Sequence, residues 1–378
     1  MFIAIRDLMY AKGRFLLMGI VVSLVSFLVI MLSGLSAGLV KANISGLMAL
    51  PATHIAFEYT DHPSYRNTMV ERYMWEGWAG QDGVKRVEPL GHTVFNARSA
   101  ADEPLEIALW GLVPDSIIEP EVVRGEQLGS GLGNGVIISG GLADEGIEVG
   151  DTITLDRVLT ELTVVGIMEE ERTIGHLPII YAPLRKWQEA TYGPPGGPPP
   201  GESLPDIVFD FVSIVLLQLD EGAAIEALDD QNETLTLDRL GFYAASTGYE
   251  SEVQSVQMIQ SLLFVISAVV IGAFFSIWTI QRTNEIGLVK ALGASNGYLV
   301  RDSLSQAFCL IGAGTLVGMG FAVWLGFAAE GSAMPFMLEA PTLITAMFTL
   351  IVAGMIGAAM SVTRITSIDP IIALGRVQ

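Results

Sequence analysis

Four long runs without a charged residue constrain the fold of this 378-residue chain more than any other feature of its sequence. Each run is 24 to 27 residues long, whereas about 20 apolar residues in a helix are enough to cross the hydrocarbon core of a membrane. A helix buried in a soluble core seldom stays free of charge over such a length. The sequence therefore predicts four membrane-spanning helices. The runs are 15–40, 256–281, 303–329 and 340–363.

Small residues near the end of the first run bear on whether that run is a cleaved signal peptide. A signal peptide has an apolar core of about 7 to 15 residues, followed by a cleavage site of small residues. The first run is longer, and its small residues at 33–38 lie inside it. We therefore expect a retained membrane helix, in which small residues permit close helix packing.

Lysine and arginine residues near the four runs indicate how the chain is oriented. Cytoplasmic loops of membrane proteins carry an excess of these residues. They occur before the first run, between the second and third runs and after the fourth, but not in the short stretch 330–339. Both termini are therefore expected in the cytoplasm and the long segment 44–254 outside the cell. The flanking basic residues are Arg6, Lys12, Arg14, Arg282, Lys290, Arg301, Arg364 and Arg376.

These patterns predict an α+β membrane protein in which a large extracytoplasmic mixed α/β domain separates the first of four transmembrane helices from the second. A membrane-bound chain of this kind belongs in the cell membrane as a multi-pass protein. The expected segments are a cytoplasmic amphipathic N-terminal helix at 1–14, transmembrane helices at 15–43, 255–281, 303–329 and 341–363, the outer domain at 44–254, a cytoplasmic helix and loop at 282–302, a short outer loop at 330–340 and a cytoplasmic tail at 364–378.

The net charge of −21 comes from the outer segment. Residues 44–254 contain 35 acidic and 11 basic side chains, a net charge of −24, and the rest of the chain carries +3. An acidic exterior argues against nucleic acid as a partner. Its simplest role is to keep a domain that faces water soluble.

The outer segment has the pattern of alternating short strands and helices. The stretch "GVIISGGLADEGIEVGDTITL" at 135–155 predicts a buried strand, a short helix, a turn and a second strand. The stretches "ELTVVGIM" and "FVSIVLLQL" predict further strands. By contrast, the many prolines and glycines at 192–206 predict a mobile surface loop. No disulfide is expected, because Cys309 is the only cysteine.

No motif in the sequence predicts that this chain is an enzyme or an ATPase by itself. The Walker, GxSxG and HExxH patterns are absent, and the four histidines have no metal-ligand spacing. We expect neither a catalytic residue nor a bound metal. The apolar runs also lack the ionisable residues that a gradient-driven carrier holds inside its spans. Energy for transport is therefore expected from a partner that hydrolyses ATP.

A short polar stretch, "TIQRTNEIGLVKALGAS" at 279–295, separates the second and third runs. It places Arg282, Glu285 and Lys290 on a short helical pattern, and Gly293 is suited to end that helix. A helix of this kind on the cytoplasmic face indicates a coupling helix that rests in a groove of an ATPase. From the residues alone, the alternative is an interfacial helix that lies flat on lipid.

Three stretches carry a family resemblance. The residues "QRTNEIGLVKALGAS" resemble the signature after the second span of FtsX/MacB-type (type VII) ABC permeases, where R-x-x-E-I-G-x-x-K-A-L-G-A is usual. The stretch "RITSIDPIIAL" at 364–374 resembles the ending of that family, and 135–155 resembles its outer core domain. One span, a large outer domain and three further spans are also that family's architecture.

Within that family, the chain resembles the haem-exporter permeases of the HrtB type. The likeness rests on residues 2–45, on "FFSIWTIQRTNEIGLVKALG" and on "MPFML" in the last outer loop. It implies the permease subunit of an efflux transporter that expels haem (hemin). Two alternatives stay open. One is an exporter of another lipophilic substrate, such as a drug or the glycolipid of the DevC-like group, and the other is an FtsX-like mechanotransmitter that controls an extracytoplasmic partner.

The resemblance implies a homodimer that works with two copies of a separate ABC ATPase, which holds ATP and Mg²⁺. The resemblance implies no cofactor on the permease itself. It also implies that the movement by which the dimer closes is transmitted to the outer domains, where it expels a ligand that enters sideways from membrane lipid. Gly34 and Gly38 lie about one helical turn apart and are expected at the dimer contact. Coupling to the ATPase is expected from Arg282, Glu285, Gly287, Lys290 and Gly293.

Haem as cargo implies ligands for its iron at the outer side of the membrane. Haem iron takes His, Met, Cys or Tyr as an axial ligand. On the topology above, Met31, Met334 and Met337 fall at the outer side, and Glu339 supplies a carboxylate near them. The alternative for each methionine is ordinary apolar packing.

Overall fold

The computed structural model of the chain divides into two compact units. One is Val40–Glu252, called the sheet domain below. The other, the helical unit, is made from the chain on either side of the sheet domain. The sheet domain begins four residues before the segment 44–254 that was expected outside the cell, and ends two residues before the end of that segment. The structure describes residues 12–129, 133–198, 202–281, 283–329, 336–338 and 340–366.

Four helices of the described residues are long and apolar enough to cross a membrane. Each predicted span lies inside one of them, which confirms the prediction of four spans. Each helix also extends past its apolar run, because backbone hydrogen bonds continue a helix whatever the polarity of its last turns. In chain order the helices are α1 (Lys12–Met48), α2 (Arg72–Glu76), α3 (Gly140–Asp144), α4 (Leu184–Tyr192), α5 (Ile225–Asn232), α6 (Arg239–Ala244), α7 (Tyr249–Gln281), α8 (Thr283–Ala291), α9 (Asn296–Ala329) and α10 (Ala340–Thr366).

Small residues bring the long helices α1, α7, α9 and α10 close together in the helical unit. Gly318 of α9 lies directly against the backbone of α1. A β-carbon on Gly272 of α7 would lie 3.0 Å from the carbonyl oxygen of Gly357 on α10. The hydroxyl of Ser26 adds a hydrogen bond of 3.1 Å to the carbonyl of Thr315. Close backbone approach and hydroxyl hydrogen bonds of this kind hold helices together in membranes.

Most strands of the sheet domain are short and buried. The strands predicted at 136–138 and 152–155 are present, and helix α3 and a turn at 149–150 lie between them as predicted. The strand predicted at 211–219 is divided at Ser213 into two strands. In chain order the strands are β1 (His54–Glu58), β2 (Val70–Glu71), β3 (Val84–Arg98), β4 (Pro104–Leu112), β5 (Arg124–Gly125), β6 (Gly135–Ile138), β7 (Thr152–Leu155), β8 (Thr160–Ile167), β9 (Thr173–Ile174), β10 (Leu177–Pro183), β11 (Phe211–Val212), β12 (Ile214–Leu219) and β13 (Thr234–Asp238).

The main sheet has the strand order β13-β1-β12-β3-β4-β10-β6-β8-β5, with β7 paired to β3 and β8 and with β9 paired to β10. Most neighbours are antiparallel, but β10 runs parallel to β4 and β6 runs parallel to β8. Strands β2 and β11 form a separate pair. The sheet thus joins distant parts of the sequence, since β1 lies between β12 and β13.

Strand β3 connects two parts of the sheet, because it pairs with β12 along its first half and with β4 along its second half. Where the pairing changes, Gly91 lies opposite Gly111 of β4. Both glycines leave room for the ring of Trp187 on α4, which is fully buried. The absence of two β-carbons therefore lets α4 pack directly on the sheet.

The last turns of α1 belong to the core of the sheet domain. Ile44 and Leu47 are buried in an apolar cluster that also contains Trp110 and Phe242. Ile44 has a φ of −126° and a ψ of 19°, so the helix is interrupted at that residue. Apolar contacts therefore fix the end of the first long helix within the sheet domain.

The proline- and glycine-rich segment at 192–206 forms neither helix nor strand between Tyr192, which ends α4, and a 3₁₀ turn at Asp206–Asp210, as far as the structure describes it. The N–H of Gly196 donates a hydrogen bond of 2.6 Å to the carbonyl of Val158. This bond fastens the segment to the turn between β7 and β8.

Candidate functional site

The predicted coupling stretch folds as the short helix α8 between two long helices. At its start, Thr283 Oγ1 donates a hydrogen bond of 2.8 Å to the carbonyl of Ile280. Ile286 is buried together with Leu299 of α9 and Val362 of α10. These apolar contacts fix one face of α8 against the helical unit.

Another face of α8 exposes leucines. Leu288 is 52% exposed, and Leu292, directly after the helix, is 80% exposed. Positions four apart lie on the same side of a helix, and Val289 beside them is exposed as well. The charged residues of this stretch were predicted to be functional, and the leucines were not. Their signal was an i, i+4 apolar pair in a stretch too polar to lie inside a membrane.

Gly293 ends α8 as the sequence predicted. Its φ is +98°, a left-handed conformation that favours glycine. Its N–H donates a hydrogen bond of 2.9 Å to the carbonyl of Lys290, and the N–H of Ala294 donates one of 3.1 Å to the carbonyl of Val289. This pair of bonds is the Schellman motif, which satisfies the last carbonyls of a helix. The turn therefore sets the direction in which the chain leaves α8.

Helix α9 begins earlier than predicted. The N–H of Tyr298 donates a hydrogen bond of 3.2 Å to Ser295 Oγ, which caps the first turn of the helix. The stretch 296–302, expected to be part of the cytoplasmic loop, therefore forms the first turns of α9.

The five predicted coupling residues have different surroundings. Gly287 is buried, and Lys290 is half-buried. Gly293 has the capping role just described. Arg282 and the side chain of Glu285 lie outside the described part of the chain. Their role at an ATPase contact stays a prediction.

Residues 336–338, the described part of the short outer loop, lie against α1. The N–H of Met337 donates a hydrogen bond of 3.0 Å to the carbonyl of Gly34. The ring of Phe336 fills the space beside Gly34, where a β-carbon would come within 2.6 Å of it. Met31, one turn earlier in α1, packs in an apolar cluster that includes Leu338. The structure therefore brings two of the predicted haem-binding residues, Met31 and Met337, to one region.

The other two predicted haem-binding residues, Met334 and Glu339, lie outside the described residues. Met31 and Met337 are both half-buried, as residues in apolar packing are. A ligand role for any of the four stays a prediction.

Gly34 and Gly38, predicted at a dimer contact, are both buried within the chain. Phe336 and Leu338 of the same chain lie against Gly34, so the close approach at this glycine is made inside one copy. Contact of either glycine with a second copy stays a prediction.

A hydrogen-bond network in the sheet domain, called the Asn43 network below, joins the end of α1 to the start of α7. Asn43 is fully buried. Its amide donates to the carboxylate of Glu252 at 3.2 Å and to the carbonyl of Thr247 at 3.4 Å, and it accepts from the hydroxyl of Ser246 at 3.0 Å. His176 Nε2 lies 2.7 Å from the other oxygen of Glu252. A buried amide is costly unless it is hydrogen-bonded, so this network holds the ends of the two helices together.

Metal-binding side chains do not cluster in groups of three or more within the described ranges. What the structure does assemble is an exposed apolar face on α8 and a polar joint between α1 and α7.

The comparison with known families agrees with four long apolar helices and a sheet domain that forms a separate unit. Residues 15–235 match the MacB-like periplasmic core domain, and residues 258–370 match the FtsX-like permease C-terminal family. The chain belongs to these FtsX- and MacB-like permeases, the membrane subunits of ABC transporters, which work with an ATPase on a separate subunit. It is a multi-pass membrane protein with an extracellular-type domain.

Two relatives are similar to the chain over its full length. One is HrtB of Staphylococcus haemolyticus (strain JCSC1435), which is named provisionally as a hemin transport system permease protein. It is 24% identical over 381 residues, and the match covers 99% of each chain. The other is HrtB of Staphylococcus epidermidis (strain ATCC 12228 / FDA PCI 1200), which has the same name. It is 24% identical over 376 residues, with 99% of each chain covered.

Two solved structures resemble about half of the chain. The extracellular domain of the noncanonic ABC-type transporter YknZ from Gram-positive bacteria is 17% identical with a TM-score of 0.34, and the match covers 50% of this chain and 100% of that one. The periplasmic region of MacB from Actinobacillus actinomycetemcomitans is 9% identical with a TM-score of 0.35, covering 51% and 92%. Likeness at these scores carries no argument about function.

Proposed function

We propose that the chain is the permease subunit of an efflux transporter that expels haem from the cell membrane. The observation that carries this proposal is the full-length similarity to relatives named for hemin transport. Two copies of the chain work with two copies of the ATPase. ATP binding closes the dimer, and the movement expels a ligand that enters from lipid. Both termini lie in the cytoplasm and the sheet domain outside, as the distribution of Lys and Arg favours.

Helix α8 is the part of the chain that we propose docks on the ATPase. An exposed apolar pair on a segment outside the membrane is unfavourable in water and marks a contact surface. Leu288 and Leu292 supply that pair, and the buried Ile286 anchors the helix behind them. We expect Arg282, Glu285 and Lys290 to take part in this contact as well.

Replacing both exposed leucines tests the docking. We expect the double variant Leu288→Ser, Leu292→Ser to weaken binding of the ATPase by about tenfold or more, because apolar anchors at the centre of an interface each contribute roughly 1–2 kcal/mol. The measurement is the amount of ATPase that co-purifies with the full chain from membranes. Leu159→Ser, at a leucine that is 64% exposed in the sheet domain, is the matched control. Equal co-purification for parent and double variant would remove the docking role from α8.

The Asn43 network is the joint through which we propose that movement reaches the sheet domain. Helices α1 and α7 each contribute residues to both compact units. Asn43 and Glu252 tie the two helices to each other and to His176. The ends of the two helices therefore move as a pair when the ATPase subunits close.

Conservative replacement of methionine tests the proposed haem ligands Met31, Met334, Met337 and Glu339. A leucine keeps most of the volume and apolar character of methionine but lacks the thioether sulfur that binds iron. We expect Met31→Leu and Met337→Leu to weaken haem binding and to leave protein level unchanged. Met319→Leu, in the same apolar cluster as Met31, is the matched control. Unchanged haem affinity in both variants, and in Met334→Leu and Glu339→Gln, would show that the ligand set is wrong.

Cells without the chain test the substrate itself. We expect deletion of the gene to lower growth in toxic haem, and the parent chain but not the double leucine variant to restore it. The purified parent should show a Soret absorption band after growth with haem. If the parent binds no haem and its deletion leaves haem tolerance intact, the haem assignment fails, and export of another lipophilic substrate or mechanotransmission takes its place.

A further inference from the structure

A cavity of about 760 Å³ opens in the sheet domain and shares no lining residue with the features assigned above. Its walls come from β3, from β4, from the turn between β7 and β8, from the stretch 65–67 and from the proline-rich segment. Sites for small molecules usually have volumes of about 300–1,000 Å³ and a few convergent polar groups. The cavity therefore has the size of a binding site.

His92 gives the cavity a buried hydrogen-bond donor. The residue lines the cavity but is only 6% exposed. Trp110 Nε1 donates a hydrogen bond of 3.1 Å to His92 Nδ1. An indole N–H can only donate, so the proton of the neutral imidazole is on Nε2. Nε2 has no hydrogen-bond partner in the part of the chain that the structure describes.

The ring of His92 is neutral under ordinary conditions. Burial, and after it the charge of Arg66, lower the pKa of His92 from 6.5 to about 4. His92 therefore acts as a donor through Nε2–H and carries no charge of its own near neutral pH.

Two arginines at the cavity lack an acidic partner. All eleven basic side chains at 44–254 are described, and seven of them form ion pairs with carboxylates. Arg66 and Arg157, which line the cavity, are exposed and are not among the seven. The cavity also has the carboxylates of Glu106 and Asp156, and Asp156 already accepts a hydrogen bond of 3.3 Å from Arg98. Two unpaired guanidinium groups beside one cavity are notable in a segment, 44–254, whose net charge is −24.

Apolar groups complete the lining. Phe95 and Val158 line the cavity, and Pro195 adds a wall from the proline-rich segment. The hydrogen bond from Gly196 to Val158 holds that wall in place. Pro195, in the described part of the proline-rich segment, therefore helps to shape this cavity.

We propose that the cavity binds a small organic anion, with a carboxylate or phosphate group on an apolar body. Arg66 and Arg157 pair with the anionic group, and His92 Nε2–H donates to it. Arginine binds carboxylate and phosphate alike through parallel N–H bonds. Phe95 and Pro195 pack against the apolar body. The proposal does not depend on haem as cargo, because the two arginines and the Nε2–H of His92 recognise a carboxylate or phosphate whatever the apolar body is.

Binding of two aromatic anions to the full chain tests the proposal. The chain is reconstituted in phosphatidylcholine nanodiscs and titrated in equilibrium dialysis with 1-naphthoate and with 1-naphthyl phosphate. The neutral 1-naphthalenemethanol serves as the control ligand. We expect one saturable site per chain for at least one of the two anions and none for the alcohol. A preference for one anion identifies carboxylate or phosphate as the natural group.

Variants of the exposed arginines assign the binding to this cavity. We expect the double variant Arg66→Gln, Arg157→Gln to bind the anion about tenfold more weakly or worse. The reason is that hydrogen bonds to charged groups contribute roughly 1.5–3 kcal/mol each. Arg124→Gln, an exposed arginine outside the cavity, should leave affinity unchanged. Absence of saturable anion binding to the parent would overturn the proposal. So would full affinity in the double variant, or an equal loss in Arg124→Gln. None of these outcomes bears on haem export, which is read from cell growth.

Discussion

The packing of Trp187 depends on two neighbouring residues that have no β-carbon. Its ring is fully buried and fills the space beside Gly91 and Gly111, which lie opposite each other on β3 and β4. The indole Nε1 donates a hydrogen bond of 3.1 Å to Thr93. Both glycines are needed for space, because a β-carbon on either would overlap the Trp187 side chain.

Adding one methyl group at this contact should destabilise the sheet domain. We expect Gly91→Ala to lower the free energy of unfolding by about 2 kcal/mol, since overpacking a filled core costs roughly 1–3 kcal/mol. Thermal unfolding of the purified full chain, followed by tryptophan fluorescence, measures the effect. Gly222→Ala is the matched control, because a β-carbon there meets nothing within 4 Å. Equal shifts for the two variants would contradict the packing argument.

His92 makes the stability of the sheet domain depend on pH. Burial and the charge of Arg66 lower its pKa from 6.5 to about 4. Between these two values the unfolded chain binds a proton that the folded chain does not, so the folded state loses stability as the pH falls.

We expect this loss to begin below about pH 6.5 and to reach roughly 3 kcal/mol near pH 4, at about 1.4 kcal/mol for each pKa unit. Chemical unfolding of the parent and of His92→Gln at pH 7.5 and pH 5 measures it. His62→Gln, at an exposed histidine, is the control for general histidine titration. If the parent and His92→Gln lose the same stability between the two pH values, His92 is not the source.

At the scale of elements, α8 is defined by how it ends. The Schellman motif at Gly293 needs a positive φ, and the N–H groups of Gly293 and Ala294 close the helix. Leu292, the most exposed apolar residue of this stretch, sits directly before that glycine. The direction in which the Leu292 side chain points therefore depends on the left-handed backbone conformation of Gly293.

A bulky residue at Gly293 should separate ATP hydrolysis from export. We expect Gly293→Val to strain the turn by about 1–2 kcal/mol, because side chains disfavour the left-handed region. The ATPase should still hydrolyse ATP beside this variant while haem export from vesicles falls. Gly297→Ala is the control, because a β-carbon there meets nothing within 4 Å. Export at the parental rate by Gly293→Val would show that the shape of this turn does not matter for coupling.

The Asn43 network connects two helix ends that are far apart in sequence. Asn43 and Glu252 are separated by 209 residues and are joined by one hydrogen bond of 3.2 Å. The backbone of Asn43 takes part as well, because its carbonyl accepts a hydrogen bond of 2.8 Å from the N–H of Gly175. Removing the amide leaves the buried hydroxyl of Ser246 without its acceptor and takes a donor from Glu252 and Thr247.

We expect Asn43→Ala to increase amide hydrogen exchange in the last turns of α1 and the first turn of α7, because unsatisfied buried groups favour local opening. Hydrogen exchange with mass spectrometry on the full chain measures the two segments. Asn67→Ala, at an exposed asparagine, should change neither segment. Protection equal to the parent in both segments of Asn43→Ala would contradict the role of the network as a joint.

At the scale of the whole molecule, the features that could be predicted are those that depend on residues close together in the sequence. The four spans follow from composition within each run, and the strand, helix and turn at 135–155 follow from their own periodicity. The helix ends were less accurate, because α1 continues past Lys41 to Met48, and α7 starts at Tyr249, ahead of the apolar run that begins at 256. Start and stop signals for a helix are short and weak compared with its apolar run.

Long-range pairing could not be predicted. The sheet places β1 between β12 and β13, and no periodicity within a strand states which distant strand lies beside it. The Asn43 network and the cavity at His92 depend on that pairing. The exposed pair Leu288 and Leu292 is different, because its spacing was visible in the sequence and only its exposure required the fold.

The proposed dimer needs helix faces that are exposed in a single copy of the chain. Ser26 and Ser33 of α1 are buried inside the chain, so these small residues serve the contacts of one copy. On α7, by contrast, Leu262, Val265 and Val269 are between 60% and 65% exposed. Their spacing of three and four residues places them on one side of the helix. A contact between two copies through the second span would use this side.

Cysteine cross-linking in native membranes tests that contact, with Cys309, the only cysteine, replaced by serine. We expect Leu262→Cys, Val265→Cys and Val269→Cys to give disulfide-linked dimers under mild oxidation. Ser267→Cys should not, because Ser267 is fully buried inside one copy. Leu316→Cys, 56% exposed on α9, is the control for random collisions in the membrane. A disulfide needs α-carbons within about 7 Å, so a positive result means direct helix contact. Dimers from Leu316→Cys in the same yield, or none from the three α7 positions, would show that the two copies do not meet along this face.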